Sequence, residues 1–141
     1  GMDVSDSGLV TWTPTEGILS SGLVTLTVSD GDLSVEESFE VSVEAVNDAP
    51  IIVSVAPTAA TEDIEYTYQV EVDDPDNNSF DYTLNNAPEG MLISDSGLIT
   101  WTPAEGILTS GVVTLTVSDG DLATEESFEV TISILIDLTI F

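Results

Sequence analysis

Residues 112–132 read VVTLTVSDGDLATEESFEVTI, a stretch in which apolar and polar side chains alternate with a period of two. Val113, Leu115 and Val117 fall on one face, with threonines between them on the other. The segment Ser118-Asp119-Gly120-Asp121 is typical of a tight turn, and the alternation resumes after it. The stretch therefore predicts two half-buried antiparallel strands joined by a short turn.

The same stretch occurs twice in the chain. Residues 1–43 match residues 90–132 almost side chain for side chain, and Trp12 recurs 89 residues later as Trp101. A period of this length is the size of one sandwich domain and is too long for a solenoid repeat. We therefore predict four segments: the C-terminal half of a repeat (1–46), a linker (47–50), a complete repeat (51–136), and the start of a further linker or strand, or a C-terminal extension (137–141).

Further segments of the complete repeat also alternate. Residues 64–72 and 80–84 each predict a half-buried strand, and no segment has the periodicity of a helix. Shorter strands are predicted at 51–55, 91–93 and 98–102, and residues 103–111 are predicted to form a loop. The predicted fold class is all-β: an antiparallel seven-stranded Ig-like β-sandwich, repeated in tandem. Its aromatic residues are expected in the core, although stacking on sugar rings is an alternative for the tryptophans.

The charge of the chain is extreme. Its 141 residues include 27 Asp and Glu but no Lys, Arg or His, so the formal net charge is −27. Phosphate backbones cannot be gripped without basic side chains, which excludes nucleic acid as a partner and disfavours anionic membranes. Nucleophile activation usually needs His or Lys, which the chain lacks. A carboxylate pair could serve glycoside hydrolysis, but such pairs arise by chance in so acidic a chain, so we expect no enzyme activity. Cations must offset this negative charge, and carboxylate oxygens favour Ca²⁺ as the bound ion. The alternative explanation of the charge is an acidic surface adapted to a salt-rich habitat.

Residues 1–46 pose a packing problem, because they supply the last strands of a sandwich without its first ones. Their apolar face and open strand edges would be exposed. Either this half is disordered, or another chain supplies the missing strands and produces a homo-oligomer. The C-terminal LIDLTIF segment, residues 135–141, is one candidate donor.

Acidic residues are predicted to meet where the linker enters the complete repeat. Successive loops of a sandwich alternate between its two ends, so the linker and the loops at 73–76 and 119–121 should share one end. Any one of these segments alone is more typical of a turn, but together they predict a Ca²⁺ site. The linker and these loops supply Asn47, Asp48, Asp74, Asp76, Asp119 and Asp121, and Glu16 is placed across the joint from its position in the preceding repeat.

At this point the chain resembles a known family. VEVDDPDNNSFDYTL (residues 70–84) and VNDAP (46–50) resemble the Asp-x-Asp loop and the linker of bacterial cadherin-like repeats of the dystroglycan type. The resemblance implies a cadherin-like sandwich with Ca²⁺ between repeats, ligated by Asp48, Asp74, Asp76 and the carbonyl of Asn47. The charged Asp-Arg-Glu motif of cadherins is missing, which leaves the number of ions open. LIDLT replaces VNDAP at the second joint and retains only Asp137.

Three functions follow as expectations. The first is a calcium-dependent spacer or cell-adhesion module. It would belong to a membrane-associated parent protein, lie outside the cell at its surface, and make homotypic or heterotypic protein contacts. The second is a carbohydrate-binding accessory module of a secreted polysaccharide-active protein. The third is homotypic assembly by strand exchange. The sequence shows no signal peptide, and its longest apolar run, residues 132–141, is too short to cross a bilayer.

Overall fold

In the computed structural model, which describes residues 1–136, the chain is built from strands and contains no helix within those residues. Hence none of the described residues forms a helix long and apolar enough to cross a membrane. The chain divides into two compact units, Gly1–Asn47 and Asp48–Phe141. We call the first unit the half repeat and the second unit the full repeat.

The half repeat contains two short hairpins. Strand β1 pairs with β2 and strand β3 with β4, all antiparallel. Within residues 1–47, every one of which the structure describes, no side chain is buried. The strands are β1 (Asp3–Val4), β2 (Val10–Thr11), β3 (Val24–Ser29) and β4 (Ser34–Phe39).

The full repeat contains the other strands of the described chain. They are β5 (Ile51–Ile52), β6 (Ala59–Thr61), β7 (Tyr66–Gln69), β8 (Val72–Asp73), β9 (Asp81–Asn85), β10 (Leu92–Ile93), β11 (Leu98–Trp101), β12 (Thr109–Ser118) and β13 (Ala123–Ser133).

Two main sheets form the sandwich of the full repeat. One has the order β6-β13-β12-β9 and the other β10-β11-β7, while β5 and β8 form a separate short pair. All these pairings are antiparallel except that of β6 with β13, which is parallel. If β5 and β6 are taken as one interrupted strand, and β7 and β8 as another, the repeat has seven strands. The predicted all-β, Ig-like sandwich is confirmed.

The core lies between the two sheets and consists of the apolar residues that the alternation predicted. Trp101 is 3% exposed, so core packing is confirmed for this tryptophan, whereas Trp12 in the half repeat is only partly buried. The Tyr68 ring meets the Phe128 ring edge to face, with centroids 6.0 Å apart. Burial raises the pKa of Tyr68 to about 12. Residues with no exposed surface include Ile99, Val113, Leu115, Val117 and Val130.

Three local predictions were wrong. Ile64 was placed in a strand, but it follows a turn and is 54% exposed, because Asp63 adopts a positive φ of 61° and reverses the chain. The predicted strand 64–72 is interrupted before Val72, because the chain changes its pairing partner there: β7 pairs with β11, whereas β8 pairs with β5. The predicted loop 103–111 ends early, because β12 begins at Thr109 and continues through a bulge.

Candidate metal centre

The linker is held against the full repeat by backbone contacts. Strand β5 pairs with β8 so that Ile51 lies opposite Asp73, which brings the preceding residues beside the loop after β8. The Thr124 hydroxyl donates to the Pro50 carbonyl at 2.6 Å. As a result, the N–H of Asp48 donates to Asp76 Oδ2 at 2.8 Å.

The loop after β8 holds its carboxylates by local hydrogen bonds. Asp74 Oδ1 accepts the N–H groups of Asp76 and Asn77 at 2.8 and 2.9 Å, as Asp commonly does in turns. The other carboxylate oxygen, Asp74 Oδ2, is buried and has no hydrogen-bond partner among the described residues. A buried carboxylate oxygen without a donor is costly, since desolvation is not repaid. This oxygen is therefore available to coordinate a cation.

The turn between β12 and β13 contributes a further carboxylate. Asp119 Oδ1 accepts the N–H groups of Asp121 and Leu122, each at 2.8 Å. Asp119 also lines a polar cleft of about 450 Å³ together with Asp74 and Asp76. Asp121 is exposed and is not among the residues lining this cleft. The structure thus brings together four of the predicted residues, which are Asp48, Asp74, Asp76 and Asp119.

Two further predicted ligands belong to the other compact unit, the half repeat. Asn47 and Glu16 belong to the half repeat, where Glu16 is exposed and accepts the N–H of Gly17 at 3.1 Å. Their contribution to the site stays a prediction. Asp137, the residue retained at the second joint, lies outside the described residues.

A second acidic cluster was missed by the sequence analysis. Glu62, Asp63 and Glu105 each place a carboxylate oxygen within 4.8 Å of the others. Glu62 has no exposed surface, and its two carboxylate oxygens accept the N–H groups of Leu135 at 2.9 Å and Gly106 at 3.4 Å. The charge of Glu62, with burial and Asp63 adding to it, raises the pKa of Glu105. The internal repeat is the sequence signal that could have revealed this cluster, because Glu105 occupies the position that the predicted ligand Glu16 has in the half repeat.

The donor set of the linker site fits a hard divalent cation. Carboxylate oxygens suit Ca²⁺, whereas Zn²⁺ and copper sites use the imidazoles and thiolates that this chain lacks. Asp74 Oδ2 supplies a buried oxygen without a proton donor, and Asp76 and Asp119 line the same cleft. The residues present therefore fit calcium.

Known folds resemble the chain at low sequence identity. A Bacteroides fragilis protein described as a putative alpha-galactosidase has 14% identity and a TM-score of 0.52, with 66% of this chain and 19% of that chain covered. An endo-fucoidan hydrolase of glycoside hydrolase family 107 has 16% identity and a TM-score of 0.51, with 99% and 23% covered. Sidekick-1 immunoglobulin domains 1–5 have 18% identity and a TM-score of 0.48, with 95% and 29% covered. The chain thus spans less than a third of each of these chains, and the likeness concerns the fold alone.

The comparison with protein families is more specific than the comparison with solved structures. None of the curated proteins matches the chain. The family model described as "Putative Ig domain" (He_PIG) matches residues 49–133, which is more than half of the chain. The chain therefore belongs to this family of Ig-like domains.

Proposed function

We propose that the chain is a calcium-dependent spacer or adhesion module of an extracellular, cell-surface protein, with Ca²⁺ bound where the linker enters the full repeat. The observation that carries this proposal is the buried Asp74 Oδ2, which has no hydrogen-bond partner within residues 1–136. Asp74 lines the same cleft as Asp76 and Asp119. A divalent cation would supply the missing partner for this oxygen.

The charge of the site favours a bound cation. Asp48 and Asp76 have carboxylate oxygens within 4.8 Å of one another, and the chain contains no basic side chain to neutralise them. Like charges at such distances repel, and self-repulsion opposes the compact state. Calcium accepts six to eight oxygen ligands at about 2.3–2.6 Å, so one ion could draw these carboxylates together.

The proposed consequence is a stiffer chain. The Asp48 N–H already contacts the loop after β8, so an ion bound beside Asp76 would order the linker as well as that loop. Because the ion binds only the folded arrangement, binding also stabilises the fold. The cadherin-like sequence features of the linker and loop support the same function in a tandem array. Glu16 and the Asn47 carbonyl are the ligands predicted from the half repeat.

Thermal unfolding in Ca²⁺ and in chelator tests the proposal. With Ca²⁺ at about 100 times its Kd, the expected stabilisation is about 2.7 kcal/mol, which raises the Tm of a domain this size by on the order of 10 °C. The double variant Asp74→Asn with Asp76→Asn should lose this response while keeping the fold. Isothermal titration with CaCl₂ should show the same loss of binding.

A charge-matched control distinguishes ligation from general screening. Asp95 and Glu129 are exposed and lie away from the cleft, so Asp95→Asn with Glu129→Gln changes the net charge equally. This variant should keep the full response to Ca²⁺. If the Tm of the parent chain is the same in Ca²⁺ and in chelator, the calcium proposal is wrong.

A carbohydrate-binding accessory module is the second candidate function. It is favoured by two similar folds that carry the names of an alpha-galactosidase and an endo-fucoidan hydrolase. Affinity electrophoresis through gels containing an α-galactoside polymer or fucoidan tests it. Retardation of the chain would support this function, and Trp12→Phe should then reduce the retardation, since Trp12 is only partly buried.

A further inference from the structure

We propose that Thr124 is a positioning residue for the calcium site, because its hydroxyl holds the end of the linker where Asp48 meets Asp76. The inference rests on the proposed function of that site and deepens it. Thr124 is not among the residues that line the acidic cleft, so it does not act as a ligand. It acts on Pro50, which follows Asp48 by two residues.

Thr124 is a polar residue on the side of β13 that faces the core. It lies opposite Val117 in the pairing of β12 with β13, and Val117 has no exposed surface. Directly opposite residues share a face of the sheet, and buried Phe128 lies further along the same face of β13. A polar group on such a face needs a partner. The partner of the Thr124 hydroxyl is the Pro50 carbonyl, which accepts at 2.6 Å.

Pro50 depends on this hydrogen bond more than another residue would. Proline has no backbone N–H, so its carbonyl is its only backbone hydrogen-bonding group. Pro50 is also fully buried, so water cannot easily replace the Thr124 hydroxyl. Loss of the hydroxyl would leave a buried acceptor without this partner, which disfavours the docked position of Pro50.

The position of Pro50 determines the position of Asp48. Strand β5 begins at Ile51 and pairs with β8 over only two residues, so few ladder hydrogen bonds hold the chain where the linker ends. The Thr124 hydroxyl adds a bond from β13, which belongs to a different sheet. Two residues before Pro50, the N–H of Asp48 donates to Asp76 Oδ2 at 2.8 Å. Fixing Pro50 therefore restricts where Asp48 lies relative to the loop after β8.

The segment that follows β5 is held by other contacts. The Ser54 hydroxyl shares a hydrogen bond with the Tyr68 hydroxyl at 2.8 Å and accepts the N–H of Glu71 at 2.9 Å. The Tyr68 hydroxyl also donates to Glu126 at 3.0 Å. Because these contacts do not involve Thr124, loss of its hydroxyl should release the end of the linker and leave the sandwich closed.

A linker that leaves the cleft for part of the time would bind calcium more weakly. Apparent affinity falls in proportion to the fraction of molecules that are in the binding-competent arrangement. Loss of one hydrogen bond to a buried carbonyl should reduce that fraction about tenfold.

Thr124→Val tests this role, since valine keeps the shape of the side chain and lacks the hydroxyl. Val35 occupies the matching position of the half repeat, where the β3–β4 hairpin forms, so valine is compatible with this hairpin. Isothermal titration of the complete chain with CaCl₂ should give a Kd about tenfold higher than that of the parent. Thr124→Ser keeps the hydroxyl and should restore the Kd to within about threefold of the parent. Thr131→Val makes the same change at an exposed position of β13 and should leave the Kd unchanged.

A second measurement needs no calcium. In chelator, NMR should show that the amide of Asp48 exchanges with solvent about tenfold faster in Thr124→Val than in the parent. The amides of Leu115 and Val130, in the core strands β12 and β13, should keep their exchange rates. A general loss of stability would instead accelerate all three, and that result would contradict a positioning role.

The two measurements separate this inference from the proposed function. If the parent binds calcium and Thr124→Val binds it equally well, the inference is overturned while the proposed function stands. If the parent does not bind calcium, the proposed function is wrong, and the exchange of the Asp48 amide decides whether Thr124 positions the linker. Faster exchange in Thr124→Val would support that role, and unchanged exchange would overturn it.

Discussion

Glu62 shows how a single residue can escape a sequence-based prediction. In the sequence it lies beside Asp63 before a strand, a position typical of a solvated turn. In the structure it is fully buried, and its carboxylate accepts backbone N–H groups from Gly106 and Leu135. These partners are 44 and 73 residues away in sequence, so no local pattern indicates them. These hydrogen bonds supply the partners that the carboxylate oxygens lose when they are buried away from water.

Glu105 is the basis of a pH-dependent prediction at this scale. Because Glu62 raises the pKa of Glu105 above its ordinary value of 4.5, the folded state binds this proton more tightly than the unfolded state. The resulting stability is present below pH 4.5 and is lost as the pH rises through the raised pKa. Glu105→Gln removes the repulsion, so its Tm in chelator should exceed that of the parent at pH 7. The difference should shrink toward zero below pH 4.5.

An exposed glutamate outside the acidic clusters supplies the control for this experiment. Glu89 lies in the full repeat, is exposed and belongs to neither group of close carboxylates. Glu89→Gln makes the same charge change and should produce no comparable pH-dependent difference in Tm. A Glu105→Gln effect that is equal at pH 4 and pH 7 would show that repulsion by Glu62 is not its cause.

At the scale of elements, the turn between β10 and β11 offers a matched pair of glycines. Gly97 has a φ of +78°, and an added Cβ would lie 2.9 Å from the Tyr82 ring. Gly8, its counterpart, has a φ of +82° but no atom within 4 Å of an added Cβ. Gly97→Ala therefore combines backbone strain with a clash and should lower the free energy of unfolding by about 2–4 kcal/mol.

Urea unfolding followed by Trp101 fluorescence, in a Trp12→Phe background, measures this cost. Gly8→Ala carries only the backbone strain, and it lies in the half repeat, so it should change the unfolding of the full repeat by less than about 0.5 kcal/mol. If Gly97→Ala costs no more than the roughly 1–2 kcal/mol expected from backbone strain alone at a positive φ, the contact with Tyr82 contributes nothing.

Whether a strand can be predicted from the sequence depends on whether its hydrogen-bond partners are near or distant in the chain. Strands β12 and β13 alternate without interruption and pair with each other, so their period alone predicts them. The breaks between β5 and β6 and between β7 and β8 coincide with changes of pairing partner. Strand β5 pairs with β8 but β6 with β13, and β7 pairs with β11 but β8 with β5, so these breaks depend on distant pairings and have no local signal. At the site, topology predicted that the linker would meet the loop after β8. The burial of Asp74 Oδ2 depends on side-chain packing, which cannot be inferred from the sequence pattern.

At the scale of the molecule, the half repeat and the full repeat show how the burial of nearly identical strands depends on the rest of the repeat. Nearly identical strands form hairpins in both units, so the hairpin is encoded locally. A dry core forms only in the full repeat, where residues 50–89 close the sandwich. Apolar patterning thus specifies which face would be buried, and the rest of the repeat determines whether it is buried.

Valine truncation at matched positions measures this difference directly. Val117→Ala removes two buried carbon groups and leaves a cavity, so it should lower the free energy of unfolding by about 2–3 kcal/mol. Val28→Ala removes the same atoms from a side chain that is 58% exposed and should cost less than about 0.5 kcal/mol. Urea denaturation of the two variants and of the parent chain provides the measurement. If Val28→Ala costs as much as Val117→Ala, the half repeat buries this side chain in solution, and burial does not distinguish the two copies.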